Sequence, residues 1–278
     1  MELWERAVEN LELKVGTYDQ REVIGLIPAG GQAHRIAPLP CSKEIFPIGF
    51  SARTEKQEGR PKVVAQYVLE QMRTAGIDKV YIILREGKWD IPAYFGDGMA
   101  LSLHLGYLMM GVPFGVPYTL DQAYPFVRGA IVALGWPDIL LDAEDAFTRI
   151  LQCLTSYDAD VVLGLFPTER PEKVDMVDVA DDGYVRQIVI KPRHTTLRYT
   201  WGNAVWAPLF TEFLHQYVET HKATAANQSE VFVGDILQAA IRAGLRVIAM
   251  PISSTPCLDI GTPEDLLKAI RLYTPEHA

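Results

Sequence analysis

The chain has 278 residues, of which 49% are hydrophobic and 22% charged, ordinary globular proportions that exclude a disordered or collagen-like polymer. Its 26 basic and 35 acidic residues give a formal net charge of -9, which argues against a protein that lives on nucleic acid or an anionic membrane. No apolar run reaches the ~18 residues of a membrane span, and three widely spaced cysteines (Cys41, Cys153, Cys257) without a C-x-x-C suit a reducing cytoplasm and no zinc finger.

Residues 1–22 read as a charged extension, helical over Leu3 to Leu13, and MELWERAVENLELKV lacks the apolar stretch of a signal peptide. The first strand is Val23–Pro28, a continuous apolar run of the kind buried in parallel sheets, and it leads straight into the glycine turn AGGQAHR. Residues 51–61 are polar and read as a loop. Val64, Val68, Met72 and Ala75 fall at helical spacing before Gly76, which predicts a helix ended by that glycine. A strand at Lys79–Leu84 then completes a βαβ unit.

Further strands are expected at Gly129–Leu134, Asp160–Leu165, Val174–Val179, Val185–Ile190, Thr200–Trp206 and Val247–Met250. Amphipathic helices are expected at Leu209–Tyr217 and Asp235–Gly244, and a hairpin turn at Asp181-Asp182-Gly183. Strands alternating with helices, with no shift of composition, predict a single α/β domain of mixed sheet over residues 23–275.

The exit of the first strand carries the chemistry. Ala29, Gly30 and Gly31 let backbone N–H groups approach a ligand and form an anion nest, and Arg35 can pair bidentately with phosphate. Taken alone, the same residues equally suit a tight strand–helix turn. The third glycine of a dinucleotide fingerprint is missing, which disfavours a nicotinamide dehydrogenase, and no G-K-[ST] of a P-loop follows.

The run IPAGGQAHRIAPLPCSKEIFPIG, with Lys43 in Ser42-Lys43-Glu44, resembles the opening of the sugar-1-phosphate nucleotidylyltransferases: strand, A-G-G-x-G-T-R-L, P-L-T, then P-K or S-K before two apolar residues and proline. Downstream, GWPDILLDAEDAF, IVIKP, TWGNAVWAPLF and CLDIGTPEDLLKA are similar to later motifs of that family, so the resemblance covers most of residues 23–270. It implies a Rossmann-like three-layer α/β fold with a central mixed, mostly parallel sheet. It also implies Mg²⁺-dependent transfer of a nucleoside monophosphate from dTTP or UTP to a sugar 1-phosphate, with pyrophosphate released. A non-catalytic nucleotide-binding protein of the same fold is the alternative.

Carried over by motif, Gly30 and Gly31 would hold the nucleotide with Ala29 beside them, Gln122 in LDQAY would read the base, and Arg35 would grip the departing phosphates. Lys43 would bridge the two anionic reactants, and Lys191, Gly202 and Asn203 would serve the sugar phosphate. Asp138 and Asp259 would bind Mg²⁺, a hard cation usually held by one or two carboxylates plus phosphates. Thr262, followed by Pro263 and Glu264, is the better helix N-cap and leaves Asp259 for a ligand. A homo-oligomer is compatible with the resemblance, whereas nucleic-acid or membrane partners are not expected. The loop departs from the family pattern at Ala33-His34, where glycine and a small hydroxyl residue are usual; the alanine is harmless at negative φ and strained in the left-handed region.

Overall fold

The computed structural model describes residues 21–51, 60–111, 114–225 and 230–273, so the helix expected over Leu3 to Leu13 lies outside the described residues. The apolar run at the start forms β1 (Val23–Ala29), almost wholly buried between two helical layers. β2 (Pro47–Phe50) and β3 (Pro61–Val63) form a separate antiparallel pair. β4 (Lys79–Leu84) joins one edge of β1 in parallel, β5 (His104–Met109) joins β4, and β6 (Ile131–Leu134) joins the other edge of β1. β7 (Ile139–Leu140) follows after a short turn, and β8 (Val161–Pro167), β9 (Asp175–Val179), β10 (Val185–Ile190), β11 (Tyr199–Trp206), β12 (Val247–Pro251) and β13 (Leu258–Asp259) complete the strands.

The central sheet has nine strands among the described residues. β11 runs antiparallel to β6, β8 and β9, β10 runs antiparallel to β9, and β12 lies parallel to β8. Only β10 and β11 therefore oppose the common direction, and the sheet is mixed and mostly parallel. Helices Val64–Thr74 and Ala146–Ser156 cover one face through Val68, Leu69, Met72, Phe147, Ile150 and Leu151. Helices Val116–Asp121, Pro208–Ala225 and Val233–Arg242 cover the other. The result is the three-layer α/β arrangement that the resemblance implied. A smaller apolar cluster, with Ile48, Leu140, Ile260 and Ala269, seats the C-terminal helix Pro263–Tyr273.

Strand–helix boundaries follow local chemistry. Gly76 has φ +78°, the left-handed geometry that ends a helix, so helix Val64–Thr74 stops where predicted. Gly183 has φ +89° in the turn between β9 and β10, and Asp182 Oδ1 accepts from the Tyr184 N–H there. Helix Pro208–Ala225 runs well beyond the predicted Tyr217, because Val218 continues the buried stripe of Phe210 and Leu214. Helix Ala146–Ser156 and β5 were not anticipated.

Topology makes a rim. The carboxyl ends of β1, β4, β5 and β6 open on one edge of the sheet, the edge where open α/β sheets hold ligands. β11 pairs with β6 through Ala204–Trp206 and then with β9 at Thr200↔Met176, so the β9–β10 hairpin continues in line with β6 beyond that same edge.

Candidate active site

Beyond β1 the chain makes its glycine turn and then a tight return at Ala33, whose carbonyl accepts from the N–H groups of Ile36 and Ala37 (3.0 and 3.1 Å). Ala33 has φ +55°. The turn thus demands the left-handed conformation, which is strained for any residue with a Cβ and explains why glycine suits this position in the pattern. His34 is exposed at the surface of the loop, its Nε2 bonded to the Gln32 side-chain amide.

Lys43 lies in a 3-10 turn, Lys43–Ile45, that is tethered on both sides of the lysine. Before it, Ser42 donates through its N–H and its Oγ to the two oxygens of Asp90, each at 2.7 Å. After it, the buried Glu44 (1% exposed) pairs with the buried Lys88. Lys88 and Asp90 both come from the segment that links β4 to helix Asp90–Phe95. The Lys43 ammonium is directed across the rim and donates to Asp138 Oδ2. Burial works to lower the Lys43 pKa, but the Asp138 carboxylate outweighs it and the net shift is upward, so the lysine stays charged.

Asp138 follows Trp136-Pro137 at the end of β6, and Asp259 sits on the short strand β13, which pairs antiparallel with β7 directly beside it. The Ile260 N–H donates to the Asp138 carbonyl at 3.1 Å, locking the two segments together. Arg35 Nη2 lies 3.6 Å from Asp259 Oδ2, and the Gly261 N–H donates to Asp259 Oδ1 at 2.7 Å. Burial, then the negative charge of Asp138, raises the Asp259 pKa, while Gly261, Lys43 and Arg35 oppose the rise. The two carboxylates therefore feel each other's charge despite their separation in sequence. Carboxylate oxygens of this kind are the donors that a hard divalent cation takes.

Two glycines line this space. A Cβ on Gly31 would stand 3.5 Å from Lys43 Nζ, and one on Gly261 would stand 2.5 Å from Arg35 Nη2. Gly31, Arg35, Lys43, Asp138, Asp259 and Gly261 thus converge on one site. Gly30 adjoins Met110 just beyond β5, and Gln122 lies beside Gly111 with its amide reaching the Tyr118 carbonyl at 3.4 Å, so Gln122 belongs to the far, β5 end of the crevice. Ala29 is buried as the last residue of β1 and contributes backbone only.

Lys191 stands at the opposite end. It follows β10 with φ +41°, and its ammonium lies 3.7 Å from the centroid of the Phe232 ring. Across from it, Ile190 pairs with Asp175 in the β9–β10 register. Asp175 Oδ1 is buried and has no hydrogen-bond partner, and burial pushes the Asp175 pKa up to about 6 although Lys191 pulls against it.

Gly202 and Asn203, expected on the sugar-phosphate side, are both buried in β11. A bulge in β11 between Trp201 and Asn203 turns both residues toward the layer of helix Ala146–Ser156. A Cβ on Gly202 would meet Phe166 and Leu141, and Asn203 is fully buried against Gly164 with neither amide atom hydrogen-bonded. They do not open on the Lys43 cluster. The Trp201 ring lies 5.5 Å from that of Trp136, which precedes Asp138 in the chain. Sequence reasoning missed Ser42, Glu44, Lys88, Asp90 and Asp175, since no local pattern reports which buried charge will meet which.

A glycine turn, two cations and two carboxylates thus meet at one rim of an α/β sheet, the edge where open sheets of this kind hold ligands. The family model for nucleotidyl transferases matches residues 24–276, and the chain belongs to that family. Among curated relatives, the low-salt glycan biosynthesis nucleotidyltransferase Agl11 of Haloferax volcanii is 23% identical over 252 residues, covering 89% of this chain and 65% of that protein. A glucose-1-phosphate thymidylyltransferase of Streptomyces griseus is 26% identical over 251 residues, with the same 89% and 65% coverage. A Bacillus subtilis protein provisionally named UTP–glucose-1-phosphate uridylyltransferase is 24% identical over 274 residues, covering 88% of this chain and 94% of that one. The chain thus spans just under two thirds of the first two relatives. A Bacillus anthracis structure with sucrose, provisionally described as a glucose-1-phosphate thymidylyltransferase, shares the fold with TM-score 0.77 at 18% identity, over 90% of this chain and 95% of its own.

Proposed function

We propose that this chain transfers a nucleoside monophosphate from a nucleoside triphosphate to a sugar 1-phosphate and releases pyrophosphate, with dTTP or UTP as donor and glucose 1-phosphate as the leading acceptor. The observation that carries the reading is Lys43, half-buried, charged, tethered on both sides and aimed between Gly31 and Asp138. In-line attack of one phosphate on another gathers negative charge between two anions, and a fixed ammonium there neutralises it without reorganising.

In this reading Arg35 and the N–H groups of Gly30 and Gly31 hold the triphosphate, and Gln122 meets the base. Lys191 holds the sugar phosphate, and Gly202 and Asn203 support the sugar side from behind the sheet rather than by contact. Asp138 and Asp259 would hold Mg²⁺, which supplies charge neutralisation on the phosphates. Lys43 would then exchange Asp138 for phosphate oxygens on binding. The catalytic unit would span residues 23–275. No helix among the described residues is long and apolar enough to cross a membrane, and a cytoplasmic setting is part of the proposal.

The strained Ala33 and the closed Lys43–Asp138 pair favour one second reading, a nucleotide-sugar binding protein without turnover. A thermal-shift panel of dTTP, UTP, CTP, GTP and ATP with Mg²⁺, followed by product analysis with glucose 1-phosphate, separates the two. A specific ligand at 100 times its Kd stabilises by about 2.7 kcal/mol. Stabilisation by dTTP or UTP together with nucleotide-sugar product supports transfer; stabilisation without product supports the second reading; neither overturns both.

A further inference from the structure

Where helices Val116–Asp121 and Pro208–Ala225 meet, Asp121, His215 and Glu219 offer three ligand atoms that all lie within 4.8 Å of one another. We propose that they form a second, transition-metal site, selective for Zn²⁺-type ions over Mg²⁺. Asp121 ends helix Val116–Asp121, while His215 and Glu219 stand four residues apart on helix Pro208–Ala225 and so share one side of it. The i, i+4 pairing of imidazole with a carboxylate gives two donors with a fixed separation, and the second helix adds the third.

Three features go beyond proximity. The Asp121 side chain is only 9% exposed, so this ligand atom lies largely out of bulk water, beside the exposed Glu219 carboxylate. His215 Nδ1 lies 2.8 Å from Asp121 Oδ1, already within the reach of a shared ion after a small adjustment. The Tyr124 ring stacks on His215, centroids 3.7 Å apart and planes within 7°, and its hydroxyl donates to Glu212 at 2.8 Å. The stacked tyrosine ring holds the plane of the imidazole.

A first-row divalent ion bonds nitrogen and carboxylate oxygen at about 2.0–2.2 Å, so its donors can lie about 4 Å apart. Two carboxylates neutralise its charge, and the imidazole disfavours Mg²⁺ and favours Zn²⁺, Co²⁺ or Ni²⁺. A fourth position remains for water. Such an ion would join the helix bearing Asp121, next to Gln122, to helix Pro208–Ala225. The inference does not depend on transferase activity.

The test is equilibrium dialysis of the full chain against Zn²⁺ in excess Mg²⁺, with metal counted per chain, and Co²⁺ titration read by its visible absorption. The expected result is one tightly held Zn²⁺ per chain and a Co²⁺ spectrum of low-symmetry N/O coordination. Both should weaken at least tenfold in His215→Ala and in Glu219→Gln. Glu219 is exposed, so Glu219→Gln keeps the test available if His215→Ala fails to fold. Absence of stoichiometric Zn²⁺ in the wild type, or binding unchanged by Glu219→Gln, overturns the site and leaves His215 as the ion-pair partner of Asp121.

Discussion

Replacing Ala33 by glycine should stabilise the protein, an uncommon outcome for a substitution that removes atoms. Ala33 sits at φ +55°, and the left-handed region costs an L-residue about 1–2 kcal/mol. Glycine relieves that strain but gains freedom in the unfolded chain, which takes back about 0.5–1 kcal/mol. Ala33 is half-buried, so losing its methyl offsets a further few tenths of the ~0.8 kcal/mol that a fully buried methylene contributes. The balance is a gain of about 0.5 kcal/mol. At roughly 2–4 °C per kcal/mol for chains of this order of size, the melting temperature should rise by about 1–2 °C, with an unchanged urea m-value. Ala33→Val is the opposing control, because a β-branched residue in that conformation should lose more than 1 kcal/mol. Thermal and urea unfolding of all three proteins decides the matter. A loss of stability in Ala33→Gly would mean that methyl packing, not backbone strain, governs the loop.

Three further outcomes follow from the same geometry. Lys88→Met should destabilise by about 3–5 kcal/mol in urea unfolding, since it leaves the Glu44 carboxylate buried without its cation, and the double variant Glu44→Met, Lys88→Met should recover most of that loss. Asp175, raised to about 6 from an unfolded value near 3.9, binds its proton more tightly when folded. Its contribution to stability is therefore complete below pH ~4 and lost as pH rises toward 6, and Asp175→Asn should flatten that fall in a pH series of unfolding curves. Gly31→Val, whose Cβ would lie 3.5 Å from Lys43 Nζ with further atoms beyond it, should lower transfer by orders of magnitude while leaving the circular dichroism spectrum and melting curve near wild type.

The fold was legible where burial is two-sided. Val23–Pro28 and Lys79–Leu84 read as continuous apolar runs because helices cover both faces, and both strands appear at almost those bounds. β5 was hidden: HLGYLM is an edge strand with only partly buried residues and carries no clear alternation. Of the candidate site, Gly31, Arg35 and Asp138 follow the carboxyl ends of the parallel strands β1 and β6, while the Lys43 turn and the antiparallel β7–β13 pair bring Lys43 and Asp259 to the same rim. Gly202 and Asn203 are not among them: they are buried at the bulge in β11, an irregularity that the motif does not report. The Glu44–Lys88 and Ser42–Asp90 tethers were invisible in sequence, since each joins residues more than forty positions apart and rests on burial rather than on a local pattern.

The central claim is that Lys43, between the glycine turn and Asp138, serves phosphoryl-group transfer. The most direct measurement is pyrophosphate release from dTTP or UTP with glucose 1-phosphate and Mg²⁺, comparing wild type with Lys43→Ala and following nucleotide-sugar formation by mass spectrometry. The account predicts steady release with matching nucleotide sugar in the wild type. It predicts a loss of several orders of magnitude in Lys43→Ala, with the far-ultraviolet circular dichroism unchanged. Pyrophosphate release by Lys43→Ala at the wild-type rate would contradict it.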